Sequence, residues 1–205
     1  TNLEKLKELG YNYDIFGNEL INEEQILELK CQDLVLPSCP ESLDEGADNV
    51  LFRVSKFIDD LLTKFYGITF YYGLDKKEDL VGHLVVGLSP HTSAGIVGRI
   101  IGFSKTQTML AHPLFHSALR RDADGDEAAV MLLLDALINF SPKLLGSSRG
   151  ATQDEPLVLT SAIIPSEVDD MVFYMDVVWR YPLEMYRAAL EYKPPAEIKI
   201  ETLMR

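Results

Sequence analysis

Residues 81–121 contain no aspartate or glutamate, in a chain where 32 of 205 residues are acidic. The stretch is apolar and glycine-rich, and it carries Arg99, Lys105, Arg120, Arg121 and all four histidines, His83, His91, His112 and His116. Locally it is about +4, whereas the whole chain has a formal charge of −13. The plainer reading is an apolar, glycine-rich core segment with little room for carboxylates. The acidic total argues against a general nucleic-acid binder held by bulk charge. A local basic stretch can still track phosphates while the rest of the surface stays solvated.

No apolar run reaches the roughly 18 to 20 residues of a membrane span, and Thr1-Asn2-Leu3-Glu4 lacks the pattern of a signal peptide. A cytoplasmic protein with no membrane partner is expected. Cys31 and Cys39 have no second pair and no nearby His, which indicates neither a structural zinc nor a disulfide framework. The first residue is not Met, and the chain reads as a piece of something larger.

Periodicity and punctuation predict a helix over 3–9 stopped by Gly10, a second short helix capped by Asn22 and running to Lys30, and a strand over 31–36. The acidic loop 41–48 marks a boundary between a peripheral segment, 1–45, and a core, 46–205. An amphipathic helix is expected over 49–65, ended by Gly67, followed by a β-rich run over 68–72. A brief helix over 76–81 precedes a strand over 84–88. Residues 92–103 leave two readings, a helix with Gly95, Gly98 and Gly102 on one face, or a kinked strand. The segment is not a phosphate-binding P-loop, since Ser104 rather than Gly precedes Lys105. An extended segment over 111–121, a buried helix over 128–140, a β-type run over 156–164 and a helix over 182–192 complete the pattern. Strands and helices mix without regular alternation, which favours an α+β architecture.

The chemistry concentrates in Arg120-Arg121-Asp122-Ala123-Asp124-Gly125-Asp126-Glu127. Aspartates at i, i+2 and i+4 lie on one side of an extended chain, about 6.6 Å apart. Gly125 permits the turn that folds the third carboxylate back toward the others. Converged carboxylates repel and shift toward protonation unless a cation holds them, and oxygen-only ligands suit Mg²⁺ or Mn²⁺. A calcium EF-hand fails here, because its sixth and twelfth positions hold Glu127 and Leu133. An ordinary solvated turn before a helix is the competing reading, with equal weight on the triplet alone. The arginine pair before it and the apolar run after it favour a phosphoryl-transfer site.

The run from Ala111-His112-Pro113-Leu114-Phe115-His116 through Arg120-Arg121 and Asp122-Ala123-Asp124-Gly125-Asp126 into Ala128–Leu137 resembles the catalytic segment of the large subunit of archaeal family D DNA polymerase. So do Phe57-Ile58-Asp59-Asp60-Leu61-Leu62, Val81-Gly82-His83-Leu84-Val85-Val86-Gly87-Leu88, Pro90-His91-Thr92-Ser93-Ala94-Gly95-Ile96, Gly98-Arg99-Ile100-Ile101-Gly102-Phe103 and Tyr181-Pro182-Leu183-Glu184. The resemblance covers nearly the whole chain. It implies one double-psi β-barrel of a two-barrel polymerase, shared with multisubunit RNA polymerases, whose carboxylates match Asp122, Asp124 and Asp126.

By the same resemblance, the activity is DNA-directed transfer of a deoxynucleotide to a primer 3′-hydroxyl, with Mg²⁺ or Mn²⁺ held by those three residues. Arg120, Arg121, His112 and Arg99 are the DNA or nucleotide contacts, with local ion pairing the alternative for the arginines and packing that for the histidine. The implied partners are primer-template DNA, a deoxynucleoside triphosphate, a small subunit, and the rest of the large subunit with its second barrel. Two departures stand out. Asp122 replaces the family's Asn, and within 147–156 only Arg149, Gly150, Asp154 and Pro156 fit the family pattern. A catalytically diverged barrel that binds subunits or nucleic acid is the runner-up, and a metal-dependent nuclease or phosphohydrolase is a third reading.

Overall fold

A computed structural model of the chain describes residues 1–89, 94–120, 127–139 and 157–204. The acid-free stretch supplies its spine. Strand β3, Ala94–Ser104, pairs on one edge with the antiparallel β2, Leu84–Leu88. Its other edge is shared. Residues 94–96 run parallel to β6, Val158–Thr160, and Arg99 onward runs parallel to β1, Asp33–Pro37. Strand β4, Leu110–Ala111, extends the sheet beyond β1, and β5, Ala129–Leu132, extends it beyond β2. The result is a mixed sheet with the order β4-β1-β3-β2-β5 and β6 beside β3, which agrees with the α+β expectation. Strand β1 is thus an inner strand drawn from the first 45 residues.

Both faces of this sheet are covered, which explains why β2 and β3 read as continuous apolar runs. On one face Leu34, Val85, Ile96, Ile100, Phe115 and Leu132 meet the buried side of helix α2, Ala47–Asp60. Val86, Leu88 and Ala136 form a second cluster, and Tyr11, Leu20 and Ile101 a third. Ile101 joins this third cluster because successive side chains of a strand alternate between faces, and beside it the β1–β3 pairing carries a bulge, with Leu34 opposite Ile100 but Val35 opposite Gly102. Residues 94–104 are therefore the kinked strand, and the helical alternative falls. Gly98 lets β1 approach, because a Cβ there would stand 2.7 Å from Leu34 Cδ1. Gln32 fills the junction where β3 changes partner. Its amide donates to the Val97 and Ser161 carbonyls at 2.6 and 3.1 Å and accepts from Ile163 N at 3.2 Å.

Several expected elements hold. Helix α1, Leu3–Glu8, is capped by Asn2 and followed by Gly10 at φ 90. Helix α2 continues into a π-helix, Leu61–Phe65, and a 3-10 helix covers Lys77–Leu80. Pro182 immediately precedes the last α-helix among the described residues, Leu183–Leu190. Four expectations are corrected. Residues 22–30 form no helix; Asn22 makes a local turn with Glu24 N, and Gln25 Oε1 takes the Ile21 and Asn22 N–H groups. Residues 68–72 form no strand, because the N–H groups of Tyr71, Tyr72 and Gly73 go to the Asp59 carboxylate. Residues 113–118 are a helix, α3, Pro113–Ala118, since His112 caps it and Pro113 occupies its first turn. The apolar run after the acidic turn begins as β5 and becomes helix α4, Leu133–Asn139, only after Leu132 has paired with Val85. Short apolar runs carry no period that distinguishes the two states.

Strand β2 approaches α3 at Gly87, where a Cβ would lie 3.0 Å from Phe115 Cζ and 3.3 Å from Leu119 Cδ2. Gly87→Leu should therefore overpack this contact and lower stability by about 2 kcal/mol, read as a shifted denaturant midpoint with an unchanged slope.

Candidate functional site

The acidic cluster is approached from the described residues on either side. Upstream, Phe115 is fully buried over Gly87, and the Leu119 carbonyl accepts a hydrogen bond from Ser89 Oγ. Helix α3 is therefore fastened to the C-terminal end of β2. Leu119 ends the helix, and Arg120 turns the chain with φ 57 while its N–H reaches the Ser117 carbonyl at 2.9 Å. Downstream, Ala129 and Val130 pair with Leu88 and Gly87. Both flanks of the acidic cluster thus rest on the same few residues of β2. Arg121, Asp122, Asp124 and Asp126 themselves lie outside the described residues, as do His91 and residues 140–156.

At least one flank of each of these three stretches lies at one end of the sheet. Leu88 pairs with both Gly95 and Ala129, and Ala94 pairs with Val158. A cleft of about 970 Å³ opens alongside this end, between α3 and the segment that follows β6. Its walls include His116, Arg120, Thr160, Glu167, Asp169 and Tyr174. Among the described residues, no group of three or more His, Cys, Asp or Glu side chains is placed to hold a metal ion. No helix among them is long and apolar enough to cross a membrane.

The sequence-selected residues divide by position. Arg120 is exposed at the cleft and the start of the acidic segment. His112 stands at the head of α3, where its Nδ1 accepts from Leu114 N at 3.1 Å. Arg99 lies elsewhere, on β3 facing the N-terminal segment. Its Nε and Nη2 donate to the two carboxylate oxygens of Asp33 at 2.8 and 2.7 Å, and Nη2 also reaches the Leu9 carbonyl at 3.1 Å. The pair is largely enclosed, with the Asp33 side chain 5% exposed and that of Arg99 27%. Tyr11 donates to Asp33 Oδ2 at 2.5 Å and accepts from Lys30 N at 3.1 Å. Burial, then its bond to Asp33, pushes the Tyr11 hydroxyl well above the ordinary tyrosine value. The hydrogen bond to Asp33 likewise raises the Arg99 guanidinium.

The sequence reading missed Asp33 and Gln32. Their one sequence signal is a polar pair entering an apolar strand, where a buried carboxylate demands a cation. Burial lowers the pKa of His83, His112 and His116 below the ordinary value of 6.5. Depressed histidines bind protons less readily folded than unfolded, so their contribution is complete above about pH 6.5 and is lost on acidification.

Two measurements test this arrangement. Asp33→Ala, which strands Arg99 and Tyr11, should cost about 3 kcal/mol in chemical denaturation, whereas Lys64→Ala at an exposed ion pair should cost under about 1 kcal/mol. Stability measured between pH 7.5 and 5.5 should fall with pH, and His116→Gln should reduce that slope.

A family profile described as "DNA polymerase II large subunit DP2, catalytic domain" matches residues 1–205. The DNA polymerase II large subunit of Pyrococcus furiosus is 54% identical over 198 residues, covering 97% of this chain and 15% of that protein. That of Archaeoglobus fulgidus is 54% identical over 199 residues, covering 97% and 17%. That of Methanothermobacter thermautotrophicus is 49% identical over 198 residues, covering 97% and 18%. The chain thus spans less than a fifth of the length of these relatives.

Proposed function

Because the chain belongs to the catalytic-domain family of the DNA polymerase II large subunit, we propose that it carries the carboxylates of DNA-directed nucleotidyl transfer, Asp122, Asp124 and Asp126. The observation that supports this reading is the double anchoring of the acidic segment's flanks on β2, beside an open cleft. A segment clamped at both ends can hold charges close together that would otherwise spread apart.

The donor set fits a hard divalent ion, with three carboxylates and no nitrogen or sulfur. Asp124 and Asp126, with Asp122 assisting, would hold Mg²⁺ or Mn²⁺. Bound there, the ion supplies Lewis acidity for the attacking hydroxyl and neutralises charge at the phosphate. The chain's own part is positioning. Arg120 and Arg121 lie before the carboxylates and contact phosphates of DNA or the incoming nucleotide. His112 sets the direction of α3 and hence of Arg120, and Arg99 ties the N-terminal segment to β3. The parallel pairing of β3 with both β1 and β6 suits one barrel of the double-psi type. A second barrel, from the remainder of the polypeptide, and a small subunit complete the enzyme.

The test uses the intact large subunit assembled with its small subunit. The parent should bind Mn²⁺ and extend a primer, while Asp124→Asn and Asp126→Asn should lose roughly a thousandfold in extension with unchanged thermal unfolding. An inactive, metal-free parent, or variants that still extend, would overturn the reading. The 205-residue chain alone should bind Mn²⁺ weakly and fail to extend primers efficiently.

A further inference from the structure

Residues 65–71 display Phe65, Tyr66, Ile68, Phe70 and Tyr71 to solvent, at exposures between 53% and 77%. These five side chains expose roughly 600 Å² of largely apolar surface, the upper end of what a typical monomer leaves in one patch. The loop is held firmly in this costly arrangement. Asp59 takes the N–H groups of Tyr71, Tyr72 and Gly73 at 3.0, 2.8 and 2.8 Å. Tyr66 N and Ile68 N return to the carbonyls of Leu61 and Leu62, which open the π-helix, a rare element that is frequent at functional sites. Gly73 adopts φ 58 with the Phe70 ring against it. Tyr72 alone turns inward, 8% exposed, where burial pushes its hydroxyl up to about 12.

A rigid loop that presents aromatic side chains outward is preorganised for contact. Its charges are wrong for nucleic acid. Across residues 56–79 there are four lysines, five acids and no arginine. Lys64 is already paired with Asp60 at 2.7 Å, Lys77 with Asp48 at 3.2 Å, and Lys56 binds the Leu74 carbonyl. Stacking platforms for single strands need a cationic groove that this loop lacks. An uncharged aromatic patch is the composition of a permanent interface. The permanently attached partner is the remainder of the polypeptide, since the matched region is 15% to 18% of its relatives' length.

We propose that the 65–71 aromatic loop is an intramolecular docking surface, covered by an apolar protein face of the same large-subunit polypeptide from outside this 205-residue segment. The assignment uses the family membership but not the metal chemistry, so it stands or falls apart from the catalytic reading.

The test uses the full-length large subunit, purified alone and kept dilute, with Phe70 or Tyr71 replaced by p-benzoylphenylalanine. Irradiation should yield a crosslink within one polypeptide to a peptide outside this segment, at the same yield with or without DNA. Hydroxyl-radical labelling of unsubstituted Phe65, Phe70 and Tyr71 should be slowed severalfold relative to a free aromatic peptide. Unprotected side chains without an intramolecular crosslink would overturn the proposal. So would crosslinks that form only with DNA, only with the small subunit, or only between copies as concentration rises. Retained primer extension by the crosslinkable protein would separate this outcome from any failure of the catalytic site.

Discussion

Backbone hydrogen bonding along both edges of β2 is the constraint from which the geometry of the candidate site follows. One edge is committed to β3 and the other to β5, so the strand cannot slide without breaking two ladders and moving every side chain to the opposite face. Gly87 removes the side chain that would hold α3 away, and Phe115 fills the space. Two chain segments that arrive from different directions therefore end within reach of the same three residues, Gly87, Leu88 and Ser89. Polar chemistry on a connecting segment gains precision from such fixed supports.

The Asp33–Arg99–Tyr11 cluster performs a comparable task for the N-terminal residues. Helix α1 is only six residues long, too short to persist by its own hydrogen bonds. It is retained because the Leu9 carbonyl accepts from Arg99 while Tyr11 closes over Asp33. The carboxylate receives donors from a guanidinium and a phenol, so its burial is compensated rather than merely tolerated. The sequence leaves Arg99 either facing DNA or held in an ion pair, and the structure shows the ion pair. The fold turns it toward the acid that an apolar strand would otherwise have to exclude.

What could be read from the residues was set by whether the signal was local. The apolar spacing of Leu51, Ile58 and Leu62 is a complete description of one helical face, and α2 forms as expected. Val130, Met131 and Leu132 contain no such information, and only pairing with β2 makes them a strand. The tyrosines at 71 and 72 have high β propensity, yet a single carboxylate 12 and 13 residues earlier in the chain captures their N–H groups. The acid-free stretch contains the buried strands β2 and β3, where desolvation penalises every ionised group, but it also contains the exposed residues 105–108. Of its histidines, His112 caps α3, His116 lines the cleft beside it and His83 packs edge-on against Tyr72, for reasons that no spacing rule encodes.

The left-handed backbone at Arg120 has an implication for how this chain can vary. A glycine or asparagine would adopt that conformation at less cost, by about 1 kcal/mol relative to a residue with a long side chain. Keeping arginine there sacrifices some thermodynamic stability for a guanidinium at the threshold of the acidic cluster. Drift toward glycine would consequently be favoured wherever folding alone were under selection.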